Sequence, residues 1–319
     1  MPTHLIADLG ATNSRFAIAS PGGRPRHLRI LHAAEFRTPL AAVRRYLSEI
    51  PDRDQPTSGA LAVAAPIVGG RITFVNLGWS FSIEAMRRRL GFARLDVLND
   101  LEAQAYAVAA LTPGSCPRIG RGRPVRSAPV LVVGPGTGLG MACLLTASDG
   151  PHVIAGEAGH ATLACADRRD ARIIDSLWRR YGHTSAERAL SGPGLAALYR
   201  AVGGSEQLEP AQVSARAKAR SDRRAIAAAD AFSRLLGGFC GDMALAFGAL
   251  GGVYLVGGVI PRLGRAFNRR AFRVAFEAKG RYRDYLARVP VSLVDRNDLG
   301  VKGLAEYLVL QKTRRRRGA

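Results

Sequence analysis

Four short stretches of this sequence carry residues able to do chemistry. Asp8-Leu9-Gly10-Ala11-Thr12-Asn13 puts a carboxylate at the end of an apolar run and then a turn whose amides can approach phosphate oxygens. An aspartate so placed can also hold a hydrated magnesium ion, while an ordinary hairpin turn would favour the same glycine and asparagine. Gly134-Pro135-Gly136-Thr137-Gly138-Leu139-Gly140 has four glycines in seven residues after a buried run, which lets backbone come close to a phosphate or simply makes a tight hairpin. Leu139 stands where a dinucleotide fingerprint needs its third glycine, and no glycine is followed by lysine and a hydroxyl residue, so the Walker-type loop is excluded.

Asn99-Asp100 follows the apolar run Leu95 to Leu98, at the carboxyl end of a predicted strand, where α/β proteins place ligands and a general base is well sited. The same pair can cap the next helix, with Glu102 as a favourable charge in its first turn. Glu157 and His160 sit three apart between glycines in Gly156-Glu157-Ala158-Gly159-His160, a loop context that favours ligand-facing polar groups. Zinc is a poor fit there, because Cys165 is the only other soft donor nearby. Glu187 completes the set, although Thr184-Ser185-Ala186-Glu187 also fits a helix capping box.

The elements that must position these residues alternate between strands and helices, so the expected class is α/β. Strands are predicted at Leu5 to Ala7, Arg15 to Ala19, Leu61 to Ala64, Ile72 to Val75 and Leu95 to Leu98, with helices at Ala85 to Leu90 and Ala103 to Leu111. Four prolines between Thr112 and Pro129 stop that helix and mark the best internal boundary. Beyond it come strands at Val130 to Val133 and Met141 to Leu145, helices from about Asp170 to Phe247, and strands at Val253 to Val256 and Val291 to Val294. Strand, glycine-and-threonine turn, strand thus occurs twice, from Leu5 and again from Val130, which suggests two related lobes.

At 319 residues the chain exceeds what one core usually fills, and 47% apolar composition excludes disorder. Four scattered cysteines without a C-x-x-C pair suit reduced thiols and a cytoplasmic protein. The opening residues carry no export signal, and the uncharged stretch from Met243 to Pro261 is broken by glycines, which argues for a buried strand rather than a membrane span. A net charge of +21 would ordinarily suggest nucleic acid. All but four of the 46 basic residues are arginines, dispersed except in the 112–129 loop and at Arg314 to Arg317, and none interleaves with aromatics as a stacking platform requires. A solvated loop and a frayed tail are expected instead, with no specific nucleic acid and no membrane partner.

Taken in order and spacing, these motifs resemble the bacterial glucokinases of the hexokinase-like, actin-type ATPase superfamily. Ser185 to Leu195, Gly251 to Pro261 and Phe276 to Arg281 extend the resemblance over nearly the whole chain. It implies a two-lobed actin-like ATPase (ribonuclease H-like) fold, a mixed sheet with flanking helices in each lobe, with 1–111 plus 299–319 as the small lobe and 112–298 as the large one. It implies ATP and Mg2+ as cofactors, glucose as acceptor and a homodimer. Asp100 matches the general base toward the sugar's 6-hydroxyl, and Asn99, Glu157, His160 and Glu187 match residues that hold the other hydroxyls. Asp8, Gly10, Ala11, Thr12 and Asn13, with Gly136, Thr137 and Gly138, match two phosphate loops, Gly257 and Gly258 match a nucleotide-side turn, and Asp8 matches a water-mediated magnesium ligand. Ala11 stands where many members have glycine, and Lys302 where leucine is common. Another hexose, a polyphosphate donor, or a non-catalytic sugar- or nucleotide-responsive protein are the alternatives.

Overall fold

The computed structural model describes residues 3–10, 12–74, 78–112 and 114–317, side chains of 316 and 317 excepted. Ala11, Val75 and Pro113 lie outside the described residues. The chain divides into two compact units, Met1–Leu111 with Ser148–Val153 and Asp298–Ala319, and Thr112–Ala147 with Ile154–Asn297. In this division the second unit begins at Thr112, with the proline-rich segment. The tip 148–153 and Asp298, which the sequence assigns to the large lobe, fall in the first unit instead.

In the first unit β1 (His4–Leu9), β2 (Asn13–Ala19) and β3 (Arg26–His32) precede α1 (Pro39–Leu47) and β4 (Ser58–Val63). A small antiparallel sheet of β5 (Ile67–Val68), β6 (Arg71–Thr73) and β7 (Ser80–Ser82) leads into α2 (Ile83–Leu90), β8 (Arg94–Asn99) and α3 (Asp100–Ala109). The main sheet runs β3-β2-β1-β4-β8, with β1 antiparallel to β2 and parallel to β4. Strand alternation sorts its side chains into two layers. Leu5, Leu9, Phe16, Ile18, Leu61 and Val63 build one core with Tyr46 of α1. The opposite face is nearly all small, with Ala17, Ala19, Ala60 and Ala62 around Ile6, and it takes α3 and the C-terminal helix Leu299–Arg317. Those helices meet closely: a Cβ on Gly303 would overlap the Ala103 carbonyl, and one on Gly300 would lie 2.5 Å from Asp8 Oδ2.

The arginine tail, expected to fray, continues as helix to Arg317. Arg314 is anchored on the hairpin tip, where its Nε lies 3.1 Å from Asp149 Oδ2 and its Nη2 donates to the Pro151 carbonyl at 3.2 Å.

In the second unit a short β9 (Arg118–Ile119) lies inside the segment expected to be loop, followed by β10 (Val130–Pro135), β11 (Leu139–Ala147) and β12 (Gly150–Gly156), whose first residues belong to the hairpin tip. Then come α4 (Arg168–Tyr181), α5 (Ala186–Ala189), α6 (Gly192–Ala201), α7 (Pro210–Ala219), α8 (Arg223–Ala246), β13 (Gly252–Leu255), α9 (Val259–Leu263), α10 (Arg269–Glu277), α11 (Arg283–Ala287) and β14 (Val291–Leu293). The sheet order is β12-β11-β10-β13-β14-β9, with β10 antiparallel to β11 and parallel to β13, and β13 parallel to β14. This is the pairing pattern of β2, β1, β4 and β8, so the echo in the sequence is a repeat of topology. The apolar residues of α6 and α8 fill the core against β10 and β13. A part-buried ionic cluster links α4 to α8: Arg234 donates to the buried Asp170 at 2.7 Å and to Asp230, and Asp230 accepts Asn268 Nδ2 at 2.8 Å.

Candidate active site

In the first unit Asn99 ends β8 and is the N-cap of α3. Its Oδ1 accepts the Leu101 N–H at 2.9 Å, and Glu102 accepts the Asn99 N–H at 3.4 Å, forming a capping box that ties the strand end to the helix start. The helix therefore begins at Asp100, three residues before the apolar pattern suggests. Asp100 is its first residue, half-buried, and its Oδ1 lies 2.9 Å from the Leu101 amide. Burial pushes the Glu102 carboxyl above its ordinary range, opposed by the hydrogen bond from the Asn99 backbone.

Asp8 lies on the small-residue side of β1, opposite Arg15 of β2, with 4.0 Å between carboxylate and guanidinium. Burial raises its pKa, and Arg15 opposes the shift. The turn after β1 is tight at Gly10, where a Cβ would lie 2.8 Å from the Asn13 carbonyl. Thr12 is exposed, and its carbonyl accepts the Ala33 amide at 3.0 Å. Asn13 Oδ1 is buried with no hydrogen-bond partner among the described residues. Ala11, assigned to the same loop, lies outside them.

In the second unit the structure gathers Gly136, Thr137, Gly138, Glu157, His160 and Glu187. Pro135 pairs with Leu139, leaving 136–138 as a three-residue loop closed by Gly136 N–H donating to the Gly138 carbonyl at 2.8 Å. The turn that carries Glu157 and His160 packs on the start of β11, because Gly159 has no Cβ to strike the Leu139 carbonyl. Glu157 and His160 are both exposed, with Oε2 and Nε2 3.9 Å apart. The segment 161–163 then runs beside 184–186, bridged at Thr162 and Ser185, and delivers Glu187: Ala186 N–H donates to the Ala161 carbonyl at 2.9 Å and Leu163 N–H to the Thr184 carbonyl at 3.0 Å.

The capping box expected at Thr184 to Glu187 is absent. Ser185 caps α5 without a side-chain hydrogen bond, the Thr184 hydroxyl donates to the Ile174 carbonyl, and Glu187 Oε2 accepts the Leu139 N–H at 2.9 Å. Gly257, at φ +84°, closes on Pro135 at the end of β10, and Gly258 is the N-cap of α9. Sequence reasoning missed the Leu139 amide and Gly192, whose N–H donates to the Gly136 carbonyl at 2.8 Å. Nothing local signals a backbone donor facing a carboxylate 48 residues away.

Among the described residues no group of three His, Cys, Asp or Glu could hold a metal, and no helix is long and apolar enough to cross a membrane. All four cysteines are free.

The family model described as glucokinase matches residues 5–311. A glucokinase of Aromatoleum aromaticum is 43% identical over 96% of this chain and 92% of its own length. The "Bifunctional protein glk" of Burkholderia thailandensis is 39% identical over 99% of this chain, which spans only 50% of that longer protein. The crystal structure of a glucokinase from an Antarctic psychrotroph superposes with a TM-score of 0.85 at 34% identity, over 97% of this chain and 99% of the other, and has the same actin-like ATPase fold. With a match running from β1 into the C-terminal helix and through every motif described above, this chain belongs to the glucokinase family.

Proposed function

We propose that this chain transfers the γ-phosphoryl group of ATP to the 6-hydroxyl of glucose, giving glucose 6-phosphate and ADP, with Asp100 as general base. The observation that carries the reading is the gathering, in one unit, of Glu157, His160 and Glu187 around the glycine loop 136–138. Phosphoryl transfer asks a protein mainly for alignment and charge stabilisation, so phosphate loops and one base suffice. As the 6-oxygen attacks the γ-phosphorus, Asp100 takes the hydroxyl proton and ADP departs with the bridging oxygen's electron pair.

A sugar presents several similar hydroxyls, and buried polar partners reject an analogue that leaves them unpaired. Asn99 spends its Oδ1 on the cap, so its Nδ2 is the end that donates to a hydroxyl. Glu187 uses one oxygen on Leu139 and keeps the other as an acceptor. Gly10, Ala11, Thr12 and Asn13 of the first unit, and Gly136, Thr137, Gly138, Gly257 and Gly258 of the second, are assigned to the phosphates and nucleotide.

Magnesium takes one or two carboxylates and several waters, so the half-buried Asp8 near the end of β1, with the unpartnered Asn13 Oδ1 at the start of β2, fits a hydrated ion, which when bound would neutralise phosphate charge. Cytoplasmic residence and a homodimeric state belong to the same proposal. The test is ADP release by purified protein with magnesium-ATP and glucose, mannose, fructose, N-acetylglucosamine or no sugar. Release is expected with glucose and much less with the others. Asp100→Asn should lower kcat by about 10²- to 10⁴-fold while the fold is kept. Wild-type turnover in that variant would remove Asp100 from the role of base.

A further inference from the structure

Glu187 and the glycine loop 136–139 are joined at two points. Leu139 N–H donates to Glu187 Oε2 at 2.9 Å, and five residues after Glu187 the Gly192 N–H donates to the Gly136 carbonyl at 2.8 Å. Between them Ser191 Oγ donates to the Glu187 carbonyl at 2.8 Å and accepts the Gly194 N–H at 3.0 Å, which fixes the link from α5 to α6. The volume that a Cβ on Gly138 would need is occupied by the Glu187 carboxylate itself. Moving the loop without the carboxylate, or the reverse, breaks the charge-assisted hydrogen bond that joins them.

We infer that Gly138 and the Leu139 amide are positioning elements for Glu187, and that through them nucleotide on the glycine loop and sugar on Glu187 bind with a shared coupling free energy. This rests on the roles given to the loop and to Glu187 above. A loop drawn against phosphates carries the Leu139 amide with it and re-aims the carboxylate. By linkage, a sugar that holds the carboxylate must then favour the same loop position. Gly138 is the steric part of the device and Leu139 the electrostatic part, so a side chain at 138 displaces the Glu187 carboxylate from the Leu139 amide.

The experiment is calorimetric titration of glucose into the full chain, alone and with a saturating non-hydrolysable ATP analogue plus magnesium. Wild type should bind glucose about fivefold or more tightly when the analogue is present, the lower end of usual couplings. Gly138→Ala, titrated at an analogue concentration shown to saturate that variant, should reduce that ratio to near one. Glu187→Asp, which keeps the charge but is one methylene too short for the Leu139 amide, should do the same and raise the KM for glucose about tenfold or more, the usual worth of a hydrogen bond to a charged group. A purely structural role would instead lower Tm and leave the ratio intact in the folded fraction.

A ratio near one in wild type, or an undiminished ratio in both folded variants, overturns the inference while glucose binding and turnover still stand. Absence of glucose binding in folded wild type would overturn the functional reading itself.

Discussion

Asn99 caps α3 with its Oδ1, and the proposed site gives its Nδ2 a second job, which substitutions separate from the first. Asn99→Asp keeps an oxygen for the cap and should leave urea unfolding within about 0.5 kcal/mol of wild type, since aspartate and asparagine cap equally well. It loses the Nδ2 donor, so the KM for glucose should rise while stability holds. Asn99→Ala should raise the KM and also cost about 1 kcal/mol of stability. Equal glucose KM in all three proteins would take Asn99 out of the sugar site. The cap was legible because Asn99, Asp100 and Glu102 stand close together in the sequence. Glu187 was visible as a candidate, but its local spacing pointed to a capping box; the competing partner, the Leu139 amide, is brought near only by the pairing of 161–163 with 184–186.

Among the elements, the contact of the C-terminal helix with α3 is set by Gly303, and the same helix approaches Asp8 at Gly300, one turn earlier. Gly303→Ala should lower stability by about 1–3 kcal/mol in urea unfolding, the ordinary cost of overpacking, because the nearest atom is a backbone carbonyl that cannot rotate away. The cluster of Arg234, Asp170 and Asp230 gives a second measure: Arg234→Met leaves Asp170, 3% exposed, without its cation and should cost about 3–5 kcal/mol. A loss under 1 kcal/mol would mean that solvent reaches Asp170.

Strands with apolar residues buried on both faces, such as β1, β4 and β10, were readable as short apolar runs. β3 was not, because Arg26 to His32 is exposed at almost every position and shows no alternation of buried side chains. α1 did carry a signal: Thr38 caps it and Pro39 occupies its first turn, a pairing that marks helix starts. The start of α3 was misplaced because the capping box, not the apolar pattern, decides where that helix begins.

Over the whole molecule, pH acts through a few displaced groups. Burial holds the His4 imidazole below its ordinary value of 6.5, with Asp96 opposing and Arg94 assisting. The unfolded chain therefore takes up this proton first, and stability falls as pH drops below 6.5. Asp54, Glu84 and Glu206 are held low by hydrogen bonds from His27, Arg87 and Arg216, so their contribution is complete above the unfolded values near 3.8 and 4.5 and is lost as pH falls through the lower folded values. Asp8 and Glu102 are raised and act in the opposite sense. Scanning calorimetry should show Tm beginning to decline below pH 6.5 in wild type. His4→Gln should remove that first decline and leave the acid one. An identical profile in the variant would exclude His4 as its source.

The first unit draws on three separated stretches of chain, and its small-residue face is covered by the helix that begins at Leu299. On a translating ribosome, even α3 emerges nearly two hundred residues before that cover does, and β1 and β4 earlier still, so Ile6, Leu98 and Tyr106 wait exposed while the second unit's strands are still being made. The second unit, whose last strand ends at Leu293, can close first. Vectorial synthesis thus reverses the order in which the two halves become native, and a nascent chain arrested before Leu299 should bind a hydrophobic dye or a holdase chaperone through the open alanine face.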